Sequence, residues 1–276
     1  MRKIDSKLII DKLAQSLADI NFTIDKGILG CFQQANVETK EKEFLNILVE
    51  NAEIADAKKI ALCQDTGIVV VFAKVGKDVS FDGDLRVIIN EAVKKGYEEN
   101  NLRKSVVADP LDRKNTGDNT PAIIHMELVD GDVFELAVMA KGGGSENVSV
   151  LEMMSPADGE QGIVDLVVNR IREKGANCCP PLILGIGVGG NFEKVAMISK
   201  KALFRELGQR NSNPRYAALE ERILKEVNDL GIGVGGFGGK LTVMDVFIEA
   251  SPCHIASMPV ALNVGCHSTR HAVIKL

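Results

Sequence analysis

Apolar residues recur along the chain at two periods, one of a helix and one of a strand. The opening stretch, MRKIDSKLIIDKLAQSLADINF, sets Ile4, Leu8, Leu13 and Leu17 among Asp and Lys. That spacing predicts an amphipathic helix starting near Asp5 or Ser6. EKEFLNILVENAEIADAKK predicts a second clear helix, so residues 1 to about 60 read as helical. After the short turn CQDTG, IVVVFAKVG has the β-branched density of a buried strand. Asp84 to Asn100 returns to the helical period, and residues 104–121 are loop, dense in Asp, Asn, Gly and Pro. IIHMELV and DVFELAVMA flank Asp130-Gly131 and predict a β-hairpin.

KGGGSEN, at 141–147, is expected to end that hairpin as a flexible loop rich in amides. Glu160 to Lys174 predicts a helix closed by Gly175 as a C-terminal cap. Two more helices are expected at about 192–207 and 214–229, then strands in KLTVMDVFIEA and MPVALNV. The interleaving predicts the α+β (mixed α/β) class, with helices packed on mixed or antiparallel sheets. No low-complexity linker marks a boundary, so residues 1–276 are expected to form a single domain.

Composition narrows the function. The chain is 45% hydrophobic and 26% charged, as in an ordinary globular protein. A net charge of −5, no Trp and two Tyr argue against a nucleic-acid binder. Charges interrupt the first helix, unlike a signal peptide, and no run approaches the roughly 18 apolar residues of a membrane span. A cytoplasmic, reducing location is the expectation. The six cysteines (Cys31, Cys63, Cys178, Cys179, Cys253, Cys266) are then core residues, nucleophiles or metal ligands, not a disulfide framework.

The hexapeptide GIGVGG occurs twice, at 185–190 and 231–236, and fits G-x-G-x-x-G. The first copy follows an apolar run and precedes a helix, with Glu206 at roughly the distance of about 20 residues that a dinucleotide site requires. A second helix then stands where that motif needs a parallel strand. Close backbone packing or tight turning is the favoured role of these glycines, an anion-binding nest a further one, and a nucleotide-binding oxidoreductase the least favoured.

Spacing alone gives the cysteines no metal motif, and each could be a small buried hydrophobe. Three keep notable company. Cys63 opens CQDTG. Cys179 precedes Pro180-Pro181, which predicts an extended, stiffened backbone, and Cys-Pro pairs recur among iron–sulfur ligands. Cys266 begins CHSTR after an apolar strand.

CQDTG, LRKSVVADP, NTGDNTPA, KGGGSEN, CPP with its glycine-rich follower, GGFGGK, and SPCHIASMPVALNVGCHSTR occur in this order. Together, over residues 40–276, they make the chain resemble the class I (iron–sulfur) fumarate hydratases, specifically the α subunit or N-terminal half. That grouping also includes the L-tartrate dehydratase α subunit. The resemblance implies a [4Fe–4S] cluster held by loops at strand and helix ends, on Cys63, Cys179 and Cys266, with one iron that lacks a protein ligand and binds substrate. It selects Cys179 over Cys178, which like Cys31 and Cys253 is left to packing, although Cys253 lies beside His254. It further implies that Asp65, His254 and Arg103 are catalytic, Asp65 handling a proton or orienting a partner. Gln64, Asp65, Arg103, Gly142, Ser145, Asn147 and His254 would bind the substrate, a small dicarboxylate. Without the resemblance, Arg103 reads as a solvated helix-end residue and Asp65 as an Asx-turn acceptor. The loop reads SEN where other members often read SAN. His125, His267 and His271 attract no role.

Single-chain members of the family continue into a C-terminal domain that supplies further cations. The expectation here is therefore a separate β subunit that completes the site, in an α₂β₂-like heteromer with symmetric contacts between α chains, and neither nucleic acid nor membrane as partner. Fumarate and (S)-malate are the expected substrates. L-tartrate is the alternative, and a non-catalytic iron–sulfur scaffold or redox sensor is the alternative of another class.

Overall fold

Asp5 caps the first helix where the sequence predicts it, its side chain accepting the Lys7 N–H. The structure, a computed structural model, describes the whole chain, Met1–Leu276. Its first elements are β1 (Arg2–Ile4), α1 (Ser6–Phe22), α2 (Lys26–Gln34) and α3 (Thr39–Lys58). β2 (Ile68–Gly76), β3 (Val79–Phe81), α4 (Leu85–Glu99), β4 (Ile123–Val129) and β5 (Phe134–Lys141) follow. Then come α5 (Gly143–Glu146), β6 (Val150–Met154), α6 (Gly159–Lys174), β7 (Leu182–Gly189) and α7 (Phe192–Ala202). α8 (Pro214–Asn228), β8 (Val243–Ser251), β9 (Met258–Gly265) and β10 (His271–Lys275) complete the chain. The class is α+β with mixed sheets. No helix is long and apolar enough to cross a membrane.

The chain forms two compact units, and α3 is divided between them after Asn51. The first comprises Met1–Asp25, Ala52–Gly143 and Arg270–Leu276; the second comprises Lys26–Asn51 and Gly144–Thr269. Each is assembled from segments distant in sequence, so no linker composition could mark the division.

The first unit is built on a sheet of order β10-β5-β2-β4, with β1 and β3 paired separately. Its core gathers Leu13 and Leu17 of α1, Ile89 and Val93 of α4, Val69 and Val71 of β2, and Leu136 and Val138 of β5. α1 and α4 pack closely at Gly96, where a Cβ would stand 3.1 Å from the Ala14 carbonyl oxygen. The expected β4–β5 hairpin is not formed. β2 lies between the two strands, parallel to β4 and antiparallel to β5. The physical reason is burial: β2 is almost wholly buried, while β4 is largely exposed and suits an edge. Residues 130–133 therefore pass over the end of β2, where the Gly76 N–H donates to the Val133 carbonyl at 2.7 Å. A Cβ on Gly76 would be 2.3 Å from the Gly131 oxygen, so only glycine lets the loop cross.

The second unit has a sheet of order β6-β9-β7-β8, with β7 parallel to β8 and antiparallel to β9. The first GIGVGG runs along β7 as far as Gly189, with Gly190 just beyond the strand. Leu182, Leu184, Ile186 and Val188 enter the core with Ile163 and Val167 of α6 and Ile223 of α8. The intervening Gly185 and Gly187 meet α7, where added Cβ atoms would stand 2.2 Å from the Ser199 oxygen and 2.3 Å from the Val195 oxygen. Those glycines serve helix–strand packing, and Glu206 lies exposed in the turn after α7, not on a strand. In the second copy, Gly231, Gly233, Gly235 and Gly236 all take positive φ in a turn between α8 and β8.

Two local expectations are corrected. KGGGSEN is not a flexible loop throughout, because Gly143–Glu146 form a helical turn with Ser145 buried. Gly175 is the C-cap of α6, as expected, its N–H donating to the Ile171 carbonyl; its conformation is right-handed (φ −59°) and leads into a 3-10 turn, Gly175–Cys178, and a Cβ there would crowd Ile171 at 2.7 Å. Cys179 is left-handed (φ 55°, ψ 67°), not extended: it ends that turn, and the turn overrides the preference imposed by the following proline. β1, β3, β6 and β10 are short, and periodicity gave no sign of them.

Candidate functional site

CQDTG is held from all sides within the first unit. The Leu62 N–H donates to the Asn21 carbonyl at 2.8 Å, fixing the entry to the turn. Asp65 makes the Asx turn, Oδ1 accepting the Gly67 N–H at 3.0 Å, while Oδ2 accepts the Gly143 N–H at 2.7 Å. One carboxylate thus ties the turn to the start of KGGGSEN. Thr66 is buried, and its hydroxyl donates to the Arg103 carbonyl at 2.6 Å. The Tyr97 hydroxyl donates to the Thr66 carbonyl at 2.6 Å, and burial pushes that phenol well above its ordinary range, so it stays a donor at neutral pH. Asn119 Nδ2 reaches the Gly67 carbonyl at 3.2 Å. Gly67 has φ +80°, and a Cβ there would lie 2.8 Å from the Lys141 backbone.

On this scaffold Cys63 and Asp65 are partly exposed, and Gln64 and Arg103 are exposed. Gly142 passes so close that a Cβ would stand 3.2 Å from Asp65 Oδ2 and 3.7 Å from Arg270 Nη2. His125 stacks on Phe72 with centroids 4.9 Å apart. His271 is largely buried, which lowers its pKa below the usual imidazole value.

The second unit brings two cysteines to one end of its sheet. Ile183 of β7 pairs with Gly265 of β9, so the chain entering β7 and the chain leaving β9 emerge side by side. Cys179 lies before the first and Cys266 just after the second. The Cys179 carbonyl accepts the His267 N–H at 3.3 Å and lies 3.0 Å from His267 Nδ1. The partly exposed Cys266 has its Sγ 3.3 Å from Ser268 Oγ, and its carbonyl accepts both the N–H and the hydroxyl of Thr269. In the CC pair the two side chains part. Cys178 is buried and its thiol donates to the Gly175 carbonyl at 3.1 Å, whereas Cys179 is exposed. No cysteine is disulfide-bonded. Burial raises the Cys31 thiol, with Asp245 adding to the shift.

His254 stands exposed between β8 and β9. Its Nδ1 accepts the Ala256 N–H at 3.1 Å, a bond that selects the tautomer with the proton on Nε2. Cys253 donates to the Ser257 carbonyl at 3.3 Å. Ser145 is buried and Asn147 exposed. Glu146, where this loop departs from SAN, pairs with Lys200 and accepts from Asn263 Nδ2 at 3.2 Å.

The expected site residues therefore divide. Cys63, Gln64, Asp65, Arg103 and Gly142 belong to the first unit, and Ser145, Asn147, Cys179, His254 and Cys266 to the second. Neither unit by itself gathers three or more His, Cys, Asp or Glu side chains into a metal site. Sequence reading passed over Arg270, His267 and Glu41. The first two lie inside CHSTR, whose polar run directly after a strand was the available signal.

The sequence profile of fumarate hydratase (Fumerase) matches residues 10–275. The chain belongs to that family. Among similar proteins, a Methanocaldococcus jannaschii protein provisionally named L(+)-tartrate dehydratase subunit alpha is 41% identical over 243 residues, covering 85% of each chain. The L(+)-tartrate dehydratase subunit alpha of Escherichia coli strain UTI89 is 31% identical over 291 residues, covering all of this chain and 94% of that one. Its counterpart in strain K12 is 31% identical over 289 residues, covering 99% and 94%. The fumarase-family match thus includes every motif that carries a candidate site residue.

Proposed function

We propose that this chain is the α subunit of a two-subunit hydro-lyase that interconverts (S)-malate and fumarate. The observation that carries the reading is the CQDTG turn. There a partly exposed carboxylate, oriented by the Gly67 and Gly143 N–H groups, stands two residues after a partly exposed thiol, in a chain of the fumarase family. Dehydration removes a proton from the carbon beside one carboxylate and hydroxide from its neighbour, giving the alkene and water.

The cysteines suit an iron–sulfur cluster by their chemistry. Cys63, Cys179 and Cys266 are accessible and outside any disulfide, while Cys178 is turned inward. These three would hold a [4Fe–4S] cluster, which when bound supplies one open iron as a Lewis acid toward the substrate hydroxyl. The chain's own residues take the remaining roles. Asp65 is the candidate for moving the proton, its two N–H donors fixing where the carboxylate points. Arg103 can clamp a carboxylate bidentately. His254 can donate from Nε2. Gly142, Gln64, Ser145 and Asn147 are the remaining substrate-binding candidates.

One arginine and one histidine are few cations for a dianion. A β subunit is proposed to supply more, and the alpha-subunit names of the relatives support that partner. A symmetric contact between two α chains and a cytoplasmic setting complete the proposal. A second reading has specific support: the relatives are named for L(+)-tartrate, which makes that diacid the competing substrate. The test is turnover by the anaerobically reconstituted chain with and without its β partner, on malate, fumarate and L-tartrate. Activity is expected only with both chains, and on one diacid far above the others. Full activity of the α chain alone would refute the two-subunit proposal, and no activity from the complete complex would refute the hydro-lyase.

A further inference from the structure

Arg270 is a cation in an unusual position. It is 3% exposed, yet its guanidinium meets two neutral oxygens: Nη1 donates to Asn21 Oδ1 at 2.9 Å and Nη2 to the Asp65 carbonyl at 2.6 Å. Its Nε is buried with no partner. The Asp65 carboxylate is occupied by the Gly67 and Gly143 N–H groups instead. A buried arginine is ordinarily matched by a carboxylate, because an unmatched charge out of water costs several kcal/mol. Here the carboxamide of Asn21 holds the place such a carboxylate would take.

The position of this charge is specific. Asn21 holds the Leu62 N–H through its carbonyl and Arg270 through its side chain, and Arg270 holds the Asp65 carbonyl. The pair therefore brackets residues 62–65, with Cys63 and Gln64 between. Arg270 Nη2 also lies behind Gly142, 3.7 Å from where a Cβ would be. Side chains of any size at 142 would separate the guanidinium from whatever lies beyond. All of these residues are in the first unit.

We propose that Arg270 is a positioning residue whose charge is left unpaired by the protein so that it acts on an anionic carboxylate of the substrate. It does so from behind the CQDTG turn and Gly142, while its hydrogen bonds hold that turn in place. The inference rests on the dicarboxylate hydro-lyase reading and adds a cation that reading lacks.

Three variants of the complete, cluster-loaded α–β complex test it. Arg270→Gln removes the charge and keeps a donor for the Asp65 carbonyl. Arg270→Lys keeps the charge. Asn21→Asp leaves Arg270 untouched and neutralises it with a near-isosteric carboxylate, at the cost of the Asn21 Nδ2 bond to the Leu17 carbonyl, which then faces an oxygen and lowers the thermal midpoint. KM, kcat and thermal midpoint are measured for each. For Arg270→Gln and Asn21→Asp, KM for the diacid is expected to rise about tenfold or more, with kcat changed less; a tenfold change is the loss of one modest charge interaction. Arg270→Lys should restore KM to within about threefold of the wild type. A purely structural arginine gives a different pattern. Asn21→Asp would then leave KM unchanged, and Gln and Lys would fall together in thermal midpoint and activity. If Arg270→Gln does not fold, Asn21→Asp decides alone: an unchanged KM overturns the inference. A wild-type complex inactive on every diacid overturns the hydro-lyase reading itself, whereas an active wild type with an indifferent Asn21→Asp overturns only the role of Arg270.

Discussion

Cys179→Ser is expected to lose its iron and with it at least about 10³-fold in turnover, while Cys178→Ala keeps both. A Lewis-acid contribution of several kcal/mol corresponds to about that factor. The contrast comes from two adjacent sulfurs with opposite surroundings. The Cys178 thiol is 1% exposed and bonded to the Gly175 carbonyl. Its removal should cost about 1 kcal/mol of stability, the loss of one small packed group and a weak hydrogen bond. Cys179 is exposed, and its left-handed backbone is held by the His267 N–H on its carbonyl. A left-handed non-glycine residue costs roughly 1–2 kcal/mol, which the surrounding 3-10 turn and hydrogen bonds sustain. Iron per chain after anaerobic reconstitution, with turnover by the complete complex, checks the pair. Equal iron in both variants would remove Cys179 from the ligand set.

Glu41→Ala is the largest expected loss of stability away from the cysteines. Glu41 is 3% exposed and accepts three backbone N–H groups, from Val234 at 3.3 Å, Lys240 at 2.9 Å and Leu241 at 2.8 Å. It fastens α3 to the loop carrying GGFGGK, which Phe237 also clasps by stacking on Phe44. Alanine would leave three backbone donors unmatched, that of Val234 fully buried and those of Lys240 and Leu241 partly so, at about 1–3 kcal/mol each for a buried one, so a loss on the order of 4 kcal/mol is expected. For a chain of this size that is a fall of about 10 °C in thermal midpoint. Glutamine should fall between, since one of its two oxygens becomes a donor facing a donor. The loop touches the cysteine segment as well, the Gly235 N–H donating to the Pro180 carbonyl at 2.8 Å. Glu41→Ala should therefore also lower iron retention. Calorimetry of the isolated chain settles the first point; a midpoint within about 2 °C of the wild type, under 1 kcal/mol, would contradict it.

The long elements were readable because their burial follows a single period. α1, α3, α4 and β2 fall close to where periodicity places them, and Asp5 and Asp84 cap their helices as aspartates should. The hairpin failed because Asp130-Gly131 is a genuine turn signal that says nothing about which strand lies between its arms. β7 was hidden because Gly185 and Gly187 take the places of its outward side chains, a choice dictated by the α7 backbone and not by the strand. At the site, the Asx turn of Asp65 was legible from CQDTG itself. Arg270 was not, because its meaning depends on Asn21, 249 residues away. The left-handed Cys179 was equally hidden, since the turn that ends on it outweighs the proline that follows.

The central claim is a cluster with an open iron that meets a diacid. Anaerobic electron paramagnetic resonance of the reconstituted, reduced α–β complex, recorded before and after adding malate, fumarate and L-tartrate in turn, tests it most directly. The account predicts a [4Fe–4S] signal that shifts with one of these diacids and that Cys178→Ala retains. A signal indifferent to all three would contradict the hydro-lyase and favour an iron–sulfur scaffold or redox sensor.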